Sequence, residues 1–161
     1  VWFNHEYIIN KSDEEIANLF APVLEAHGVK ESHERIVKAV SLVKNRVNFV
    51  GELWNQTSYL FQAPESFDEK SLKKWWKDEA PRTTAELCDF IESEPDFTGA
   101  VLEPRVMEWI ASKGYGIGKV MNALRVTLVG AAVGPHIFEI TDFIGKEETL
   151  ARARKAISTL S

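Results

Sequence analysis

The chain has 161 residues, 45% hydrophobic and 27% charged, with a formal net charge of −5. A chain of this size buries roughly 70% of its extended-state surface, enough for one domain or two small ones, and its composition excludes a disordered protein. No apolar run approaches the ~18 residues that cross a bilayer, and the acidic balance excludes a protein that coats nucleic acid with many clustered cations.

Any RNA contact must therefore be local. Cys88 is the only cysteine, so no internal disulfide or thiolate zinc site can form, and a reducing, cytoplasmic setting is expected. The opening Val1-Trp2-Phe3 has neither an initiator Met nor a basic leader ahead of an apolar stretch, and reads as a piece of a longer protein.

Ser12-Asp13-Glu14-Glu15 is a capping box that predicts a helix start. Ile16, Leu19, Phe20, Val23 and Leu24 follow at helical spacing, and Gly28 ends the run. Ile36, Val37, Val40, Val43 and Val47 predict a second helix; Val50, Leu53, Trp54 and Leu60 predict a third, with a break near Arg46.

The pattern weakens between Gln62 and Thr84, where Pro64 and Pro81 read as connections flanking a short basic helix over 69–79. A boundary near Pro64 divides the chain into lobes 1–64 and 65–161. Thr83-Thr84 and Phe97-Thr98 open two further helices, the second ending at Gly114. Residues 117–130 carry Val120, Leu124 and Leu128 at four-residue steps; Pro135 precedes a helix ended by Gly145, and a last helix covers 146–160. Period-2 alternation is not sustained, and the best strand candidate, Val126-Thr127-Leu128-Val129, lies inside a helical run. The prediction is an all-α, two-lobed helical bundle.

Few patterns suggest chemistry. Gly114-Tyr115-Gly116-Ile117-Gly118-Lys119 suggests a phosphate loop, but the gap before Gly-Lys is wrong and Val120 replaces the magnesium-binding hydroxyl. A helix-to-helix turn is the better reading. His5, His27, His33 and His136 are scattered, without metal-ligand spacing, and suit solvent-facing or capping roles. Cys88 falls on a buried helix face, and no strand-turn-helix serine motif occurs, so neither a catalytic centre nor a metal site is predicted. Lys70, Lys73, Lys74 and Lys77 share a helix with Trp75 and Trp76; this suits RNA, and equally suits a solvated lysine face over inward-packed tryptophans. By composition alone, Lys44, Arg46, Lys119 and Arg125 are surface charges.

The ordered run Gly118-Lys119-Val120-Met121-Asn122-Ala123-Leu124-Arg125-Val126-Thr127-Leu128-Val129-Gly130, then Gly134-Pro135-His136-Ile137-Phe138 and Ile144-Gly145-Lys146-Glu147, resembles the anticodon-binding end of bacterial glutamyl-tRNA synthetases, class I aminoacyl-tRNA synthetases. Trp2-Phe3-Asn4-His5-Glu6-Tyr7-Ile8 is similar to the segment after that family's catalytic half. Leu42-Val43-Lys44-Asn45-Arg46 with Tyr59-Leu60-Phe61 resembles its first anticodon subdomain.

The resemblance implies two helical lobes that grip splayed anticodon bases of the tRNA for glutamate, in a cytoplasmic monomer without membrane contact. Extruded bases are read by a few well-placed donors and apolar surfaces, in agreement with the charge argument. It assigns RNA contact to Arg46, which helps reject glutamine tRNA, to Arg125, and to the loop Gly134, Pro135 and Ile137, with Lys44 and Lys119 nearby. Gly134 departs from members that carry threonine, so only backbone contact is available there. The family's ATP motifs are absent; ATP and magnesium belong to the catalytic half, and this part needs no cofactor. The competing reading is a helical protein-interaction module indifferent to RNA.

Overall fold

A computed structural model describes residues 11–47 and 52–160; the resembling stretch at residues 2–8, His5 and Val50 lie outside them. The chain divides into two compact units at Gln62/Ala63. Every regular element among the described residues is a helix, and none is long and apolar enough to cross a membrane.

In the first unit, helix α1 (Asp13–Ala26) begins where the Ser12 hydroxyl accepts the Glu15 amide at 3.1 Å, satisfying one of the donors a helix start leaves open. Three acids in its first turn add to that end. Helix α2 (His33–Val43) is capped in the same way by Ser32. It tightens into a 3-10 turn, Lys44–Arg46, and α3 (Leu53–Phe61) follows. The predicted break near Arg46 is this turn. Ile16, Phe20, Leu24, Ile36, Val40, Val43, Val47 and Leu53 form the core of the unit.

The second unit contains α4 (Glu69–Trp75), α5 (Ala80–Glu92), α6 (Gly99–Lys113), α7 (Ile117–Val129) and α8 (Ile137–Leu160). Helix α4 is shorter than predicted. Helix α5 starts earlier than Thr83, because Pro81 occupies its first turn, where a missing N–H costs nothing and a fixed φ helps. Within α8, Gly145 has φ 85° and ψ 169°, so the axis breaks at the residue predicted to end a helix. The strand candidate, residues 126–129, lies in α7.

Helix α8 packs on α5, α6 and α7; its Ile140, Phe143, Leu150 and Ala153 are buried, as are Leu87, Ile91, Leu102, Ile110 and Leu128 of the other three. One cation sits in this core. Arg152, with a side chain 2% exposed, donates from Nη1 to the Leu128 carbonyl and from Nε to Glu148, each at 2.9 Å. It thereby satisfies a carbonyl in the last turn of α7. Gly130 ends that helix at φ +92°, and a Cβ there would lie 2.8 Å from the Ser66 carbonyl oxygen. The Gly130 carbonyl also accepts the Asp68 amide at 2.7 Å, tying the segment before α4 to the end of α7.

Candidate nucleic-acid interface

The first unit offers one exposed cation on an anchored turn. Val43 and Val47, on either side of Lys44–Arg46, are fully buried, so the backbone of the turn is held from both ends. Lys44 is pinned inward: its ammonium donates to the Lys11 carbonyl and lies 3.3 Å from Asp13 Oδ1. It is therefore a strut between the turn and the start of α1, in contrast to the surface charge read from composition. Arg46 is exposed, with no ion-pair or hydrogen-bond partner among the described residues. Holding the turn rigid lowers the entropy lost when the guanidinium engages a ligand.

In the second unit, Arg125 projects from α7 onto the loop before α8. Its Nη1 donates to the Pro135 carbonyl at 2.6 Å and to the Val133 carbonyl at 3.2 Å, which fixes the loop. Gly134, at φ 109°, lies between those two carbonyls. Pro135 is buried beneath. His136 caps α8: its Nδ1 accepts the Phe138 amide at 3.2 Å, and its Nε2 lies 3.5 Å from Glu103.

Ile137, read from the resemblance as an apolar contact for bases, is 4% exposed and belongs to the core at the start of α8. The apolar side chain the loop does expose is Val133, at 61%. The sequence signalled it only as an apolar residue in a short Gly-flanked loop, Gly130-Ala131-Ala132-Val133-Gly134.

Lys119 is not brought to this loop. It sits in the first turn of α7, six residues and about 9 Å of helix rise from Arg125, beside Trp75 and Lys74 of α4. Cys88 is buried, which pushes its thiol up to about 11, so it is structural and not a nucleophile. Among the described residues no cluster of His, Cys, Asp and Glu is placed to hold a metal ion.

The sequence model of a family described as "Anticodon binding domain" matches residues 15–157. The chain belongs to the anticodon-binding domain family. Curated relatives of this anticodon-binding domain include the glutamate–tRNA ligase of Phocaeicola vulgatus, 48% identical over 159 residues, 99% of this chain and 32% of that protein. The glutamate–tRNA ligase of Bacteroides fragilis is 49% identical over 160 residues, with the same coverage of each chain.

Among solved structures, a glutamate tRNA ligase from Elizabethkingia meningosepticum, in complex with its amino acid, superposes with a TM-score of 0.92 at 40% identity. That match covers 98% of this chain and 31% of the other. The glutamate–tRNA synthetase of Elizabethkingia anophelis gives 0.86 at 39% identity, covering 97% and 30%. The anticodon-binding domain thus spans about a third of the length of these relatives.

Proposed function

We propose that this domain grips the anticodon loop of the tRNA for glutamate, as the reading end of a longer glutamate–tRNA ligase that acts as a cytoplasmic monomer. The ATP and magnesium chemistry belongs to the remainder of that enzyme. The observation that carries the reading is Arg46: an exposed guanidinium without a partner among the described residues, on a turn clamped by two buried valines and by Lys44. A planar fork of donors satisfies two acceptors on one base edge, which a lone ammonium does not do.

Arg125 acts on the second contact from behind, holding the Val133–Pro135 carbonyls so that the Gly134 backbone and the Val133 side chain meet an extruded base. Pro135 and Ile137 seat that loop on α8. Recognition by a few donors and apolar surfaces, without a broad cationic face, suits a protein of net charge −5.

The test is Arg46→Gln, measured as binding to anticodon stem-loops that differ at the third anticodon base. Loss of a bidentate base contact costs about 1–3 kcal/mol of discrimination, by analogy with base readout in DNA. The wild-type domain prefers one base and the variant loses that preference. Equal preferences in both would remove Arg46 from the interface, and binding of no RNA at all would favour a protein-interaction module.

A further inference from the structure

The second unit also holds a groove of about 480 Å³, formed by the end of α4, the start of α5 and the turn between α6 and α7. Lys74, Trp75 and Lys77 line one side, and Tyr115 and Lys119 the other. The Lys74 ammonium lies 5.0 Å from the centroid of the Trp75 ring, which sets a cation beside an aromatic surface. Arg82, in the same wall, is occupied by Glu79 at 2.5 Å and Glu86 at 3.6 Å. Lys74, Lys77 and Lys119 have no ion-pair partner among the described residues, and Asp78 is the one lining carboxylate not engaged by Arg82. The far wall is fixed, because the Tyr115 hydroxyl donates to Glu86 at 2.6 Å.

Three ammoniums without an ion-pair partner beside one indole make this groove locally cationic on a protein of net charge −5. Ammoniums that follow a backbone, beside a ring that takes any base on its face, are the two parts of a single-strand binding surface. Helix α7 adds to it, since its N-cap is Gly116, which offers no side chain to cap it, and no acid lies in its first turn.

We propose that this groove binds the backbone of single-stranded RNA, with Lys74, Lys77 and Lys119 on phosphates and Trp75 stacked on a base. It deepens the anticodon-binding reading and rests on it. The groove supplies affinity without sequence preference, and Arg46 and the loop supply the preference.

The experiment follows binding of the 161-residue chain to a fluorescent anticodon stem-loop of the tRNA for glutamate, at several salt concentrations. The groove variant is Lys74→Gln with Lys77→Gln and Lys119→Gln. The control makes the same charge change at exposed Lys30, Lys38 and Lys155. The groove variant binds every anticodon sequence more weakly and to the same degree, and its log–log salt slope is shallower by about 2, at about 0.7 per single-strand phosphate. The control keeps the wild-type slope. Trp75→Leu weakens binding about five-fold or more, while Trp75→Phe retains most of it.

A groove variant with the wild-type slope, or a control that loses as much, overturns the groove. If Arg46→Gln still relaxes base preference in that case, the anticodon reading stands without it. Absence of RNA binding by the wild-type chain overturns both.

Discussion

Replacing Arg152 by Met sets two opposing effects against each other at one site. The guanidinium is nearly inaccessible, and burial drags its pKa down, so its charge is held at a cost that Met removes. Against this, Met strands the Leu128 carbonyl, which accepts from Arg152 Nη1 at 2.9 Å, in the last turn of α7. An orphaned buried acceptor costs about 1–3 kcal/mol. The ion-pair partner of Arg152, Glu148, is 43% exposed and turns to water when the arginine is gone. The carbonyl then dominates, and we expect a net loss of about 1–3 kcal/mol, measured by urea unfolding followed by circular dichroism. Hydrogen exchange at the Ala132 amide, which donates to Ser71 Oγ at 3.1 Å just beyond the end of α7, should rise along with it. Unchanged or greater stability would show that desolvation of the guanidinium outweighs its hydrogen bonds, refuting the reasoning.

Gly130→Ala forces a Cβ to within 2.8 Å of the Ser66 carbonyl oxygen and 3.0 Å of Pro64 Cβ at a φ of +92°. The backbone conformation alone costs about 1–2 kcal/mol, and displacement of residues 64–66 adds to it; a smaller loss in urea unfolding would contradict the packing described. Asp68 caps α4 by accepting from the Ser71 hydroxyl and amide at 2.8 and 2.9 Å, which holds its carboxyl below the ordinary value of 3.8. Its folded pKa is depressed, so its contribution to stability is complete above 3.8 and is lost as pH falls through the lower folded value. An NMR titration of Asp68 with a midpoint at or above 3.8 would contradict the cap.

Local signals located the helices where the chemistry is local. Ser12, Gly28, Gly114 and Gly145 mark helix ends through capping and backbone conformation, which need only neighbours in sequence. Pro81 misled because one residue type suits both a connection and a first helical turn, and only packing of α5 decides between them. The candidate site divides in the same way. Arg46 beside a predicted break was visible as an exposed cation, and the apolar spacing of Val43 and Val47 already implied their burial.

Several assignments required contacts between residues distant in sequence. The sequence carried no sign that Lys44 reaches Lys11 and Asp13, that Arg125 clamps the carbonyls of residues 133 and 135, or that Val133 and not Ile137 stands exposed. It grouped Lys74 and Lys77 with Trp75 on one helix, but not with Lys119, since that grouping depends on α4 lying beside the start of α7.

The order of polar and apolar residues determined that this chain is helical, and roughly where each helix begins and stops, because helix formation is governed by residues three and four apart. Only the tertiary structure decided which charges are struts, which are buried partners and which remain available to a ligand. A side chain's solvation and neighbours are set by segments tens of residues away, and no short-range pattern records them.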